Sequence, residues 1–122
     1  MKEKQIMTRI NCIPPSELTN KHLVAEYREL PRVFGLARRP HSREEFPSFY
    51  PLGTGHVKFF YNKLGYLTNR FHQIVEEMKR RGFAVNYPSP PTNSDPSLYG
   101  MWEPTPESQE INRKRIRERL GV

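Results

Sequence analysis

Apolar residues recur at helical spacing in two long stretches of the chain and one shorter stretch. The clearest stripe predicts a helix that begins after Thr54 and ends near Arg81, because its apolar residues lie three or four positions apart. Arg80 and Arg81 in the last turn and Gly82 after it are the expected stop signals, since cations suit the negative end of a helix and glycine accepts a left-handed cap. The stripe consists of Val57, Phe60, Tyr61, Leu64, Leu67, Phe71, Ile74, Val75 and Met78.

An earlier helix is predicted from a cap at Ser16 to about Arg38. Pro31 lies inside it and has no amide proton for the carbonyl of Tyr27, so a kink is expected there. The apolar positions of this helix include Leu18, Leu23, Leu30, Val33 and Ala37.

A third, short helix is predicted from a cap at Thr105 to about Leu120, because Pro106 suits the first helical position. The two segments between helices, 40–54 and 83–104, are rich in proline and read as surface connectors. Trp102, in the second connector, is expected to cover the core. The pattern therefore predicts an all-α fold, a single compact three-helix domain with long irregular connectors.

Composition narrows the class of partner. The 122 residues allow one domain, and 20 Lys and Arg against 13 Asp and Glu give a formal charge of +7, which favours a polyanion and salt-dependent binding. The single cysteine, Cys12, cannot form an internal disulfide, and no apolar run approaches a membrane span or a secretory signal. A cytoplasmic protein with no membrane partner is expected. The histidines and Cys12 show no metal-ligand spacing, so no metal or other cofactor is expected.

Two segments hold the candidate chemistry. Residues 7–11 read Met-Thr-Arg-Ile-Asn, and removal of the methionine would leave a primary amine on Thr8. Such an amine has a pKa of about 7.7 to 8.0, so an appreciable fraction is uncharged near neutrality and can attack carbon. In residues 25–35, Glu29 stands among Arg28 and Arg32, which should keep it ionised. From the residues alone, a helix-surface ion pair of Glu29 with Arg32 is the commoner outcome.

These two segments, together with residues 53–64, closely resemble the phage-type pyrimidine-dimer DNA glycosylases, historically called endonuclease V. The resemblance runs from Met7 to about Gly82. It implies base-excision repair of ultraviolet photoproducts by a glycosylase that is also an abasic-site lyase. The substrate would be double-stranded DNA carrying cyclobutane pyrimidine dimers or abasic sites, bound by a monomer.

The resemblance also implies roles for residues. The Thr8 amine would attack C1′ of the 5′ sugar of the dimer to give an imine, Glu29 would stabilise the cationic sugar, and β-elimination would break the strand. His22 corresponds to a family histidine near the site, although a packed helix histidine is the ordinary interpretation. Phosphate contacts are expected from the basic residues of the site and of the third helix, since guanidinium groups suit phosphate oxygens. These residues are Arg9, Arg28, Arg32, Arg113, Lys114 and Arg117.

Three features depart from the family pattern. Six residues precede Met7, so residues 1–6 are expected to be a misassigned or removable extension of a single domain spanning 7–122. The family's aromatic carboxyl-terminal tail is absent, and the loop between Pro40 and Pro51 is short. Abasic-site cleavage is therefore expected to be retained, with weaker dimer recognition. Two alternatives stay open, a noncatalytic DNA-binding protein and an abasic-site lyase that uses Lys21, Lys58 or Lys63.

Overall fold

The fold is all-α, as the sequence pattern predicts. The computed structural model describes residues 10–37, 56–93 and 95–121, and within them there is no strand, only an isolated bridge between Lys63 and Tyr99. Short 3₁₀ turns lie at Pro15–Glu17 and Pro96–Leu98. The helices are α1 (Asn20–Leu36), the single turn α2 (His56–Phe59), α3 (Leu64–Arg80) and α4 (Pro106–Leu120).

The N-cap of helix α1 lies three residues later than predicted. Thr19 is the N-cap, because its side chain accepts a hydrogen bond from the amide of His22, whereas Ser16 lies within the first 3₁₀ turn. The prediction that Ser16 caps the helix was wrong. Pro31 lies inside α1, which ends at Leu36.

The continuous helix predicted from residue 55 to Arg81 is interrupted at residues 60–63. In an unbroken helix the amide of Tyr66 would bond to the carbonyl of Asn62. Instead, the amide of Gly100 donates to the Asn62 carbonyl at 3.2 Å, and the Tyr66 amide donates to the Gly100 carbonyl at 3.2 Å. The connector therefore takes up the hydrogen bonds that would have joined α2 to α3. A side chain at residue 100 is excluded, because its Cβ would lie 2.6 Å from the Asn62 carbonyl oxygen.

The core lies between α1 and α3, which run antiparallel. Arg81 after the end of α3 donates to Asn20 at the start of α1, at 2.9 Å, and the rings of Tyr27 and Phe71 stack in the middle, with centroids 5.5 Å apart. All the predicted apolar positions of α1, and those of the main stripe that are described, are buried. The largest fully buried apolar side chains are Phe34, Phe59, Phe60, Phe71, Ile10, Leu23, Leu30, Leu64, Leu67 and Ile74.

The second connector closes the end of the core near the start of α3. The Trp102 ring meets Phe59, Phe60 and Tyr66 edge-on, at centroid separations of 5.1, 5.7 and 5.1 Å. The prediction that Trp102 covers the core is confirmed. At the opposite end, Gly82 has a φ of 84°, and the amide of Phe83 bonds back to the Met78 carbonyl at 2.9 Å, which confirms the predicted cap.

Helix α4 begins where the sequence predicts. The Thr105 hydroxyl accepts from the Ser108 amide at 3.0 Å, and the Ser108 hydroxyl accepts from the Thr105 amide at 3.0 Å, so the two residues cap the helix reciprocally. Pro106 is its first residue. In the described part of the chain, no helix is long and apolar enough to cross a membrane.

Candidate active site around the amino-terminal segment

Glu26 and Glu29 lie on successive turns of one face of α1, because residues three apart on a helix are neighbours. Their surroundings differ. Glu26 is 1% exposed, whereas the Glu29 side chain is 28% exposed and accepts a hydrogen bond from Arg32 at 2.8 Å. Arg28 is exposed. The predicted group of one acid and two arginines therefore forms a charged surface beside a buried acid.

Residues 10–13 form a buried segment without regular secondary structure that passes between the helices. None of the four residues is more than 3% exposed. The amide of Ile10 donates to Nε2 of His56 at 2.9 Å. Nε2 must carry a lone pair to accept this bond, so the neutral His56 ring holds its proton on Nδ1. The first turn of α2 thus holds one end of the segment.

A buried ion pair between α1 and α3 holds the middle of the segment. Nε of Arg70 donates to Glu26 at 2.9 Å and Nη2 donates to it at 3.0 Å. The same carboxylate accepts from the Asn11 side-chain amide at 2.8 Å, while Nη1 of Arg70 donates to the carbonyl of Ile13. Burial lowers the pKa of Arg70, but the Glu26 carboxylate outweighs it and holds the pKa above its ordinary value. Charge and hydrogen bonding thereby compensate for the desolvation of both groups.

Helix α4 holds the segment from the other side. Asn112 is 0% exposed; its side-chain oxygen accepts from the Cys12 amide at 2.6 Å, and its side-chain nitrogen donates to the Asn11 side-chain oxygen at 2.8 Å. Gln109 donates to the Cys12 carbonyl at 3.1 Å. Both backbone groups of Cys12 are therefore bonded to α4.

The aromatic side of α1 organises the start of the second connector. The Tyr27 hydroxyl accepts from the amides of Asn86 and Tyr87, at 3.0 and 2.9 Å, and donates to the Tyr87 carbonyl at 3.0 Å. The rings of Tyr27 and Tyr87 stack with centroids 4.5 Å apart. Burial, and then the nearby Tyr27, raise the pKa of Tyr87. The connector is thus fixed beside Arg28.

Thr8 and Arg9, the proposed nucleophile and its neighbour, lie outside the described residues, as do residues 53–55. His22 lies at the start of α1, where its ring Nδ1 and the Thr19 hydroxyl are 2.9 Å apart. Burial lowers the pKa of His22, and the charges of Arg119 and Lys21 lower it further. The carboxyl end of α4 therefore comes close to the amino end of α1.

The basic residues of α4 divide into two groups. Arg113 forms two hydrogen bonds of 2.9 Å to Glu17, so it ties α4 to the first 3₁₀ turn. Arg117 lies 3.2 Å from Glu110, in an exposed pair, and Lys114 is exposed. Exposed pairs are weak, so Arg117 and Lys114 are more accessible to phosphate than Arg113.

Four residues that hold the segment were not identified from the sequence, namely Asn11, His56, Arg70 and Asn112. Each is polar and buried, and each bonds to a residue at least fifteen positions away in the chain. A charged residue on the apolar stripe of α3 was the one available signal, because Arg70 lies three positions after Leu67 and four before Ile74 and has to be neutralised if it is buried. Among the described residues, no group of histidine, cysteine and acidic side chains could hold a metal ion.

A known protein family matches a large part of this chain. The family model described as pyrimidine dimer DNA glycosylase matches residues 7–90. The match begins at Met7, immediately before Thr8, and takes in α1, α2, α3 and the start of the second connector. It covers more than half of the 122 residues. The chain therefore belongs to the pyrimidine dimer DNA glycosylase family.

Proposed function

We propose that this protein excises cyclobutane pyrimidine dimers from double-stranded DNA, as a monomer, with the amine of Thr8 as nucleophile. The amine attacks C1′ of the 5′ sugar of the dimer, the bond from C1′ to the base breaks, and the sugar ring opens to give an imine. Loss of a proton from C2′ then expels the 3′ phosphate, which cleaves the strand. The second step needs only an abasic sugar, so abasic sites are also substrates.

The observation that carries the proposal is the burial of residues 10–13 beside Glu26. Just after the segment, the Pro15 carbonyl accepts a hydrogen bond from Arg81, which also bonds to Asn20 at the start of α1. Asn11, inside the segment, bonds to Glu26 further along the helix. The course from Pro15 back to Asn11 therefore follows α1 towards its carboxyl end, where Glu29 lies one turn beyond Glu26. Two further residues span at most about 7 Å, so Thr8 is tethered within that reach of Ile10.

Glu29 has the role of charge stabiliser. The sugar acquires positive charge as its bond to the base breaks, and an ionised carboxylate next to it lowers the energy of that state. Arg28, Arg32 and Arg9 hold the flanking phosphates, and Arg117 and Lys114 extend the contact along α4. The formal charge of +7 supports this assignment, since phosphate contacts dominate affinity for DNA.

Residues 1–6 are not part of the working enzyme in this proposal. With them attached, the Thr8 nitrogen would belong to an amide, which cannot form an imine. Translation from Met7, followed by removal of that methionine, supplies the free amine. The family match that begins at Met7 supports this start.

Borohydride trapping on duplex DNA with one cyclobutane dimer tests the proposal, because borohydride reduces an imine to a stable covalent adduct. The chain beginning at Thr8 should form the adduct, and the chain beginning at Met1 should not. Glu29→Gln should abolish base release while sparing DNA binding, whereas Glu76→Gln, at an exposed acid of α3, should behave as wild type. Wild-type turnover by the Glu29 variant would refute the role of that residue.

A lysine-based abasic-site lyase is the second candidate, and one observation favours it. Lys63 is partly buried over the ring of Phe59, and burial lowers its pKa, which raises the fraction of the uncharged amine that can attack carbon. Its Nζ donates to the Phe59 carbonyl at 3.0 Å and to the Asn62 side-chain oxygen at 3.2 Å, which fixes the position of the amine. If chemical blocking of the amino terminus left trapping on abasic DNA intact and Lys63→Arg removed it, this candidate would replace the first. No adduct with any form would favour a noncatalytic DNA-binding protein.

A further inference from the structure

Asn112 differs from the rest of its helix. Helix α4 carries a mostly exposed basic surface, yet Asn112 is 0% exposed, and both polar atoms of its side chain bond to the amino-terminal segment. Its oxygen accepts from the Cys12 amide at 2.6 Å and its nitrogen donates to Asn11 at 2.8 Å. An asparagine that only filled space between helices would not need to bond to two successive residues of the amino-terminal segment.

The bonds of Asn112 continue through Asn11 to the buried ion pair. The Asn11 oxygen accepts from Asn112, so its nitrogen is directed at Glu26, to which it donates at 2.8 Å. Glu26 is in turn fixed by Arg70, which also donates to the carbonyl of Ile13. Along the series from Asn112 through Asn11 and Glu26 to Arg70, each side chain can make these hydrogen bonds in only one orientation. The position of the segment is therefore set by α4 as well as by α1 and α3.

The geometry points to Asn112 as a positioning residue for the Thr8 amine, acting through Asn11 and Cys12. This inference rests on the proposed function. Only two residues, Arg9 and Ile10, separate Thr8 from Asn11, so a displacement at Asn11 or Cys12 is expected to shift the amine as well. Misplacement of a reacting group by about 1 Å can cost about 100-fold in rate. Asn112 itself does not touch the substrate.

The test measures imine formation and DNA binding separately, on the chain beginning at Thr8. Asn112→Ala should lower the single-turnover rate of borohydride-trapped imine at saturating abasic DNA by about 10- to 100-fold. The Kd for duplex DNA with a tetrahydrofuran abasic analogue, which cannot form an imine, should change by less than about threefold, since Asn112 is buried and makes none of the proposed phosphate contacts. A rate within about threefold of wild type, or a Kd that rises by the same factor as the rate falls, would overturn the inference.

Ile116→Ala is the matched control. Ile116 is on the same helix and packs against the core, so the substitution weakens the docking of α4 without removing a bond to residues 11 and 12. It should lower the melting temperature but leave the trapping rate near that of wild type. An equal loss of rate in the two variants at comparable melting temperatures would show that the effect is structural.

Gln109→Ala provides a milder variant if Asn112→Ala does not fold. Gln109 is partly exposed and contributes only the bond to the Cys12 carbonyl, at 3.1 Å. Its loss should lower the trapping rate by about three- to tenfold at unchanged Kd, and a wild-type rate would overturn the inference. Failure of the unsubstituted chain to form an adduct would refute the proposed function and this inference together. If the unsubstituted chain forms the adduct and neither Asn112→Ala nor Gln109→Ala lowers the trapping rate, the positioning role alone is refuted.

Discussion

Substitution of Glu26 by Gln should be among the most destabilising single changes in this protein. Glu26 is 1% exposed and its two carboxylate oxygens accept three hydrogen bonds, two from Arg70 and one from Asn11. A glutamine keeps the size but has only one oxygen, so at least one donor would face its amide group. It would also leave the charge of Arg70 buried without an opposite charge beside it.

The size of the effect follows from that geometry. Removal of one member of a buried ion pair costs about 3–5 kcal/mol, against a total stability of about 5–15 kcal/mol for a domain. With a urea dependence of about 1.5 kcal/mol per molar, the unfolding midpoint should fall by about 2–3 M. Urea titration followed by circular dichroism measures this shift. Glu110→Gln is the control, because its pair with Arg117 is 51% and 65% exposed and should contribute less than about 1 kcal/mol.

A double variant separates the cost of an unpaired buried charge from the cost of the lost hydrogen bonds. Glu26→Leu with Arg70→Met replaces the ion pair by apolar side chains, a change that is often neutral or stabilising elsewhere. Here it also leaves the side-chain amide of Asn11 and the carbonyl of Ile13 without these hydrogen bonds, each at a cost of about 1–3 kcal/mol. The double variant should therefore recover only part of the stability that Glu26→Gln loses. A Glu26→Gln variant within about 1 kcal/mol of wild type would refute this account of the segment's anchorage.

Further predictions concern titration and close packing. The Arg80 hydrogen bond, followed by that of Arg81, lowers the pKa of Glu77 from 4.5 to about 2, so its contribution to stability is complete above about pH 4.5 and is lost as the pH falls towards 2. Melting curves of wild type and Glu77→Gln should therefore differ at pH 6 and converge near pH 2. Nuclear magnetic resonance should show that the His22 pKa rises when a nearby charge is removed by Arg119→Ala, since that charge lowers it. Gly65→Ala should destabilise the protein by about 1–3 kcal/mol in urea titration, because the added Cβ would lie 2.7 Å from a connector carbonyl oxygen.

The sequence predicts the helices well because their signals are local. Thr105, Pro106 and Gly82 act within one helical turn, and the stripe on α3 depends on spacing alone. The break before Leu64 could not be predicted in this way, because it is made by Gly100, 38 residues after the Asn62 carbonyl that it occupies. A long-range hydrogen bond leaves no periodic trace in the sequence.

In the candidate site too, the sequence predicts what is local and does not predict what depends on long-range contacts. Glu29, Arg28 and Arg32 are close in sequence and could be grouped from it. The docking of α4 could not, because its buried residues include Ser108 and Asn112 rather than a full apolar stripe. The sequence of a helix that attaches to its domain through hydrogen bonds shows polar residues on all sides. For that reason the basic residues of α4 were prominent in the sequence while its buried asparagine was not.

The two acids of α1 differ in how readily they can exchange partners, and the proposed chemistry needs that difference. Arg70 cannot leave Glu26 without exposing two buried charges to an apolar interior, so the inner pair stays closed when DNA binds. Arg32 is 55% exposed, and an exposed pair is stabilised by about 0–1 kcal/mol, so Arg32 can turn from Glu29 to a phosphate at little cost. Glu29 would then face the cationic sugar with one fewer neutralising charge. The inner pair fixes the segment that follows the proposed nucleophile in the chain, and the outer pair can rearrange without disturbing it.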